Sequence, residues 1–501
     1  MKKQTFACAI LALSMMTGCV KQIEQQAEIE QSALMAREQA PPFGATDEFV
    51  ADEILVKFIP NATATGRANA LNRIGGKIKK HLVTEAMINA GDTEGIYVLT
   101  VPHGVMVALE RLQNLAEIEF AEPNYILRHI PLATGEPDAS DPIYTNTSEN
   151  TWGLMGEYTT PNKNKYGSRA GEAWTGAKGV NADGTINYSL TPQKGSATVY
   201  VAVIDEGVQF DHEDLAGQVK LELEIPGNGI DDDGNGKIDD AYGWNFVNNT
   251  KNVYEGAADD HGTHVAGTIG AKGGNNIGVV GVNWNIRMLS AKFLGDNGGT
   301  TDAAIAAIDY VTNLKYYANG QLRYNIVATN NSWGGGSKST ALQSAIIRSE
   351  AKGILFVAAA GNNNRNIDKQ LSYPACYPVD NIISVGSIWL DGKKSSFSNY
   401  GAKNVDLFAP GSNVWSTTPG STYSKYSGTS MATPHVTGAV ALYAAAKGLT
   451  PGNKTDAIAI KNAILRSARP TTGVRNLCVT NGRLDVHAAW QDITNSGLAA
   501  D

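Results

Sequence analysis

From Val199 to Ile388 the chain alternates short apolar runs with stretches of helical periodicity, and that alternation leaves few folds open. The apolar runs are Val199 to Ile204, Ile286 to Phe293, Asn325 to Thr329, Ile354 to Ala360 and Ile382 to Ile388. Helix-like segments such as Asp302 to Tyr317 and Thr340 to Ala351 lie between them. A run that is apolar at successive positions, rather than at every second one, suits a strand covered on both faces. Strands separated by helices pair in parallel through right-handed crossovers. The expectation is an α/β domain, a doubly wound parallel sheet with helices on both faces. Ligands of such sheets bind beyond the carboxyl ends of the strands, where Asp205 and Asn362 both fall.

Three short segments set chemistry on that frame. Ile204-Asp205 closes the first apolar run with a carboxylate. Asp260-His261-Gly262-Thr263-His264 opens a helix-like stretch, and Gly428-Thr429-Ser430-Met431-Ala432-Thr433-Pro434-His435-Val436 opens another that stays largely apolar to Ala446. A serine hydroxyl needs a base to take its proton during attack, and a neutral imidazole does this near pH 7. A buried aspartate orients that imidazole and stabilises its cation. A serine at the start of a helix offers its own N–H and the positive helix end to a developing oxyanion. Taken singly, a strand-end aspartate or a GTS tripeptide has an ordinary turn or cap reading, and periodicity does not separate His261 from His264. Together, in the order Asp, His, Ser, the motifs resemble those of the subtilisin-like serine proteases (subtilases), over about Trp152 to Trp490. The resemblance implies a triad of Asp205, His261 and Ser430, with His264 structural. It departs at Glu206, where subtilases usually carry Ser or Thr; a second carboxylate there could raise the local negative potential and the histidine pKa, but the side chain is expected to point to solvent.

The same resemblance assigns the rest of the site. Gly353 to Asn362 reads as a buried strand ending in a small-residue turn, and Asn362 would supply the side-chain donor of an oxyanion hole. Asn363 and Asn364 follow directly, so that choice rests on the resemblance. Ser332, Trp333 and Gly334 correspond to an edge that pairs with extended substrate. Trp333 would wall the pocket for the residue before the scissile bond, or else pack into the core beside the glycine turn.

The chain has 501 residues, 42% of them hydrophobic, enough for a large core and more than one domain. A formal charge of −8 and the absence of any Lys/Arg-rich block argue against nucleic acid as a partner. Lys2 and Lys3 precede an apolar stretch, Phe6 to Met16, too short to span a bilayer, so residues 1–18 read as a signal peptide. Met16-Thr17-Gly18-Cys19 is similar to the lipobox of bacterial lipoproteins, which implies lipidation of Cys19 and attachment to a membrane. Ordinary secretory cleavage is the other reading. The expected location is the bacterial cell envelope, or the extracellular space after processing. Residues 19–47 are polar and read as a tether. Residues 48–130 carry the pattern βαββαβ, a small α+β ferredoxin-like unit. Its strands are Ile54 to Ile59, Lys77 to Val83, Gly95 to Val101 and Ile118 to Leu127; its helices are Ala62 to Ile74 and Val105 to Ala116. Its place before the protease motifs resembles the inhibitor-I9-like propeptides of subtilases, which chaperone folding and feed a tail into the active site. Residues 131–148 would be the exposed link cut on maturation, and 149–492 the catalytic domain.

Two segments point to structural Ca2+. Asp231-Asp232-Asp233-Gly234-Asn235-Gly236-Lys237-Ile238-Asp239-Asp240 sets oxygen side chains at alternate positions with glycines for the turn. Asp231, Asp233, Asn235, the Lys237 carbonyl and Asp239 or Asp240 are candidate ligands, although Tyr242 stands where an EF-hand has its closing Glu. Gly273 to Val279 resembles a second subtilase calcium loop, which implies Asn275 and Asp214 as side-chain ligands. Cys376 and Cys478 lie outside the leader, and their pairing stays open. The expected function is a secreted or lipid-anchored serine endopeptidase, made as a self-processing zymogen that acts on proteins or peptides and is inhibited by its own propeptide. The alternative is a surface lipoprotein of the same fold that only binds.

Overall fold

The computed structural model describes residues 48–130, 133–134, 151–159 and 162–493. All of them belong to one compact unit. The leader, Cys19, the tether and most of the expected link lie outside the described residues.

The first 80 or so described residues form β1 (Phe49–Phe58), α1 (Ala64–Ile74), β2 (Lys77–Leu82), α2 (Glu85–Asn89), β3 (Ile96–Thr100), α3 (Val105–Leu112) and β4 (Ile118–His129). Their strands are antiparallel in the order β4-β1-β3-β2, a ferredoxin-like arrangement. One face holds α1 and α3 on a small core that includes Ile54, Val56, Phe58, Leu99 and Leu112. α1 starts at Thr63, whose hydroxyl caps Gly66 N, and stops at Gly75 in the left-handed region, φ 66°.

The larger part is built on β5 (Gly195–Asp205), α4 (Asp260–Gly270), β6 (Asn285–Lys292), α5 (Thr301–Leu314), β7 (Ile326–Asn331), α6 (Thr340–Ala351), β8 (Leu355–Ala359), β9 (Ile382–Ile388), β10 (Leu407–Pro410) and α7 (Thr429–Lys447). These strands belong to a sheet of nine, in which seven of the eight neighbouring pairs run parallel and whose centre reads β10-β9-β8-β7-β5-β6. The apolar run of β5 explains the layering. Val199, Val201 and Val203 enter a core shared with α4 and α7, while Tyr200, Ala202 and Ile204 enter the opposite core with α5 and α6. From β5 the chain winds outward through β6 on one side and through β7, β8 and β9 on the other. The winding direction reverses between β5 and β7, which opens a crevice at their carboxyl ends. Asp205 ends β5 and Ser332 follows β7, so both stand at that crevice.

Candidate active site

Asp205 and His261 meet across the crevice. His261 is the second residue of α4, and its Nδ1 lies 2.9 Å from Asp205 Oδ1. A carboxylate only accepts, so the imidazole carries its proton on Nδ1 and keeps Nε2 as the basic nitrogen. Asp205 is itself fixed by Glu206 N–H, which donates to the same oxygen at 2.8 Å. Burial disfavours the imidazolium, but the charge and hydrogen bond of Asp205, then the Glu206 carboxylate, outweigh it and raise the His261 pKa to about 9. His264, three residues on, is different in kind. Its Nε2 faces the carbonyls of Val414 and Ser424 at 2.9 and 3.1 Å, and burial lowers its pKa to about 3. It is a neutral strut beneath α4.

Ser430 is the second residue of α7 and is fully buried. Pro434 lies inside that helix and has no N–H to give the Ser430 carbonyl four residues back. Ser332 Oγ donates to that carbonyl instead, at 2.9 Å, and Ser430 Oγ donates back to the Ser332 carbonyl at 3.1 Å. The two serines thus lock α7 to the end of β7. His261 Nε2 is buried with no hydrogen-bond partner among the described residues. Asn362 comes to the same place: its Oδ1 accepts from Thr429 N and Thr429 Oγ1, both at 2.9 Å, which turns its amide nitrogen away from Thr429. Trp333 is fully buried in an edge-to-face arrangement with Phe293 and Phe356, so its side chain belongs to the core and only its main chain faces the crevice.

The end of β4 fills the crevice. Leu127 pairs with Gly299, Arg128 with Gly334 and His129 with Trp333, all antiparallel. Ile130 N then donates to the Ser332 carbonyl at 3.4 Å, the same oxygen that holds the Ser430 hydroxyl. Beyond it, Ala133 and Thr134 pair with Ser427 and Tyr426, just before the nucleophile candidate. Residues 127–130 therefore lie as an extended strand against the crevice, and residues 133–134 pair with the strand that leads into Ser430. Upstream, Glu122 anchors this strand: it accepts from Ser339 Oγ at 2.6 Å, Thr340 N at 2.9 Å and Ala341 N at 3.2 Å, at the N-terminus of α6. Burial raises its pKa against the pull of those three donors.

Sequence comparison agrees with this geometry. The Subtilase family profile matches residues 196–486, more than half of the chain. The chain belongs to the subtilase family. A second profile, the Fervidolysin N-terminal prodomain, matches residues 38–124, so this subtilase carries a prodomain. It is 31% identical over 397 residues to the Thermophilic serine proteinase of Bacillus sp. (strain AK1), covering 79% of this chain and 78% of the relative. It is 38% identical over 267 residues to Subtilisin Savinase of Lederbergia lenta, covering 53% of this chain and 82% of the relative. Against Subtilisin-like protease 1 of Plasmodium falciparum the identity is 36% over 258 residues, covering 47% of this subtilase; it spans only 36% of that longer protein. Among solved structures, fervidolysin from Fervidobacterium pennivorans shares the fold with a TM-score of 0.62 at 23% identity, covering 90% of this chain and 62% of that one.

Three residues of this subtilase matter at the site and were not foreseen from sequence, His129, Glu122 and Glu224, and a fourth, Glu206, was expected elsewhere. Glu206 corrects an expectation. It does not point to solvent but is 6% exposed, with Oε1 accepting the His261 N–H at 2.5 Å. The first turn of α4 has main-chain donors to satisfy, and the carboxylate reaches them from the end of β5.

The expected cation loops differ from each other. Glu224, Asp231 and Asp233 bring carboxylate oxygens within 4.8 Å of one another. Asp233 Oδ1, 3.8 Å from Arg323 Nη1, and Asp240 Oδ1 are buried without a hydrogen bond among the described residues, and burial raises the Asp240 pKa to about 7. Glu224 and Asp231 also accept main-chain N–H groups of the loop, but the clustered carboxylates and the two oxygens without a hydrogen bond suit a hard cation. Asp239 faces away, bonded to Lys251 Nζ at 2.7 Å and Gly229 N at 3.1 Å. Asn235 Oδ1 accepts from Lys237 N, and its amide donates to Asp240 Oδ2 at 2.9 Å. In the second loop Asp214 and Asn275 do meet, but as a hydrogen-bonded pair at 2.7 Å, with the other Asp214 oxygen on Val279 N. That loop is closed by its own donors rather than by a ring of oxygens. Cys376 and Cys478 are both buried free thiols in one apolar cluster. No helix among the described residues is long and apolar enough to cross a membrane.

Proposed function

We propose that this subtilase is a serine endopeptidase made as a self-processing zymogen, with Asp205, His261 and Ser430 as its triad. The observation that carries the proposal is the shared Ser332 carbonyl. It receives both the Ser430 hydroxyl and the Ile130 amide, which aligns a peptide strand beside the nucleophile in a substrate's orientation. In the reaction, Ser430 Oγ leaves Ser332, passes its proton to His261 Nε2 and bonds to the substrate carbonyl carbon. The negative charge moves to the carbonyl oxygen, where the Asn362 amide and the Ser430 N–H at the start of α7 would receive it. His261 then gives its proton to the departing amine, and water repeats the sequence to free Ser430. Asp205 stabilises the imidazolium throughout.

In the precursor the strand from Leu127 to Ile130 acts as this substrate and blocks others. Its register favours the bond after Ile130, within the wider interval between Arg128 and Asn150, as the place of processing. Glu224, Asp231, Asp233 and Asp240 would hold a structural calcium, which ties a surface loop and takes no part in acyl transfer. A lipidated Cys19 would hold the prodomain side of the cut at a membrane, and the mature enzyme of roughly 350 residues, a single large α/β domain, would leave it. A protein of this fold that only binds is not favoured, because nucleophile, base, orienting carboxylate and amide donor candidates are all present together. Expression of Ser430→Ala tests the proposal. The variant should accumulate with the prodomain attached and resist labelling by a fluorophosphonate that labels wild type; trimming at the same bond in the variant would assign the cut to another protease.

A further inference from the structure

The Asn362 amide has to reach the oxyanion from a turn that lies beyond the end of β8. That strand makes its last sheet bond at Ala360, whose N–H donates to the Val385 carbonyl at 3.0 Å. Gly361 then bends the chain with φ at 107°, and the main-chain groups that follow leave the sheet. A buried side chain must satisfy them. Asn399, in the loop between β9 and β10, is 2% exposed and does so. Its Nδ2 donates to the Ala360 carbonyl at 2.7 Å, and its Oδ1 accepts from Asn363 N at 3.1 Å and Arg365 N at 2.9 Å. Its main-chain N–H donates to the Gly361 carbonyl at 2.8 Å. One residue thus brackets Asn362 on both sides. The fit is close, since any Cβ at Gly361 would collide with Asn399 Nδ2. Among the described residues, every side-chain hydrogen bond of Asn399 goes to this turn.

We infer that Asn399 is a positioning residue for the oxyanion donor Asn362; this rests on the protease reading above. Thr429 and Asn399 hold that donor in different ways. Thr429 takes the Asn362 Oδ1 and so orients the amide. Asn399 fixes the main chain from which the amide projects. A donor lowers the barrier when it stands in place before charge develops, and one that must first move loses part of that effect. The turn also dictates the residue type: it asks for a donor at one end of the side chain and an acceptor at the other, and an amide supplies both. Loss of Asn399 should therefore be felt in kcat. Ground-state binding runs through strand pairing at Trp333 and Gly334, which Asn399 does not bond, so KM should change little.

The test compares processed wild type, Asn362→Ala, Asn399→Ala and the double variant, with kcat and KM measured on a fluorogenic peptide. Asn362→Ala removes a donor and should lower kcat by about 100- to 1000-fold. Asn399→Ala should lower kcat by about 10- to 100-fold, with KM within about threefold of wild type. Added to Asn362→Ala, where the donor is already gone, it should change kcat by less than about threefold. Asn399→Asp keeps the shape and the two accepted bonds but sets an oxygen against the Ala360 carbonyl. It should behave as Asn399→Ala does, and it carries the comparison if the alanine variant does not fold. A loss of equal size in both backgrounds overturns the inference, because Asn399 would then act other than through Asn362. A loss confined to KM, or wild-type kcat in a folded Asn399 variant, overturns it too. A wild type that cuts no peptide and takes no fluorophosphonate label would sink the protease reading and this one with it. Additive losses in an active enzyme would sink this one alone.

Discussion

Replacing Glu122 by alanine should loosen the prodomain without touching the catalytic groups. The carboxylate accepts three hydrogen bonds at the start of α6, from Ser339 Oγ, Thr340 N and Ala341 N. A hydrogen bond to a charged group contributes about 1.5–3 kcal/mol, and the helix end adds up to about 1 kcal/mol. Two effects reduce the sum. The raised pKa of Glu122 records a desolvation cost that alanine does not incur. Once the prodomain has gone, water and Ser339, whose hydroxyl already caps Leu342 N at 3.0 Å, can satisfy the helix end. A net loss of about 2–3 kcal/mol remains, or roughly 30- to 150-fold in the dissociation constant of the cut prodomain. Purified, processed complex would be diluted in steps and assayed with a fluorogenic peptide; half of the full activity is reached at a complex concentration proportional to the dissociation constant. Glu122→Ala should reach that point at a concentration 30- to 150-fold higher than wild type, and Glu122→Gln should fall between. A midpoint within threefold of wild type would refute the assignment of Glu122 as an anchor.

Other outcomes follow from the same geometry. His261→Ala should abolish turnover in a folded protein, whereas His264→Ala should mainly lower the melting temperature; equal residual activity in two folded variants would reverse that division. The base must be neutral to accept a proton, and His261 is raised to about 9, so kcat/KM should climb as pH rises through the alkaline range. Removing the negative charge at Glu206 should move that limb to lower pH, and an unmoved limb in Glu206→Gln would exclude the electrostatic link. A calcium chelator should lower the temperature of half-inactivation by roughly 5 °C or more while leaving initial rates at low temperature intact. Asp231→Ala together with Asp233→Ala should remove most of that sensitivity; if the double variant responds as wild type does, the loop is not the cation site.

The sheet was legible because burial on both faces leaves a direct mark. Residues 199 to 204 are apolar without a break, and the structure sends them alternately into two cores. The prodomain strands and its two longer helices were legible from period and turn residues. Helix α2 was not: five residues are too few for a period to show, and Thr84 and Asn313 hold it against α5 by contacts across more than 220 positions. Glu206 was misread for a related reason. A charged residue just after a strand is usually a turn residue in solvent, and what buries this one is the first turn of α4, 55 positions later. Glu224 joins the acidic loop by the same kind of distant approach, since its carboxylate accepts from Asp232, Asp233 and Asp239 main-chain N–H groups. Local pattern reports what a residue is. Its partners depend on folds of the chain that no window spans.

The carbonyl of Ser332 has a consequence for how substrate length should act on rate. A free hydroxyl on Ser430 is held by that oxygen and must rotate away before His261 can take its proton. A long peptide that docks its own N–H on the same carbonyl shares that oxygen with the hydroxyl, as Ile130 does, and so weakens its hold on the nucleophile. A short ester without that N–H supplies no such push. Extending a substrate back from the cut should therefore raise kcat, and not merely lower KM, because part of its binding energy is spent on freeing the nucleophile.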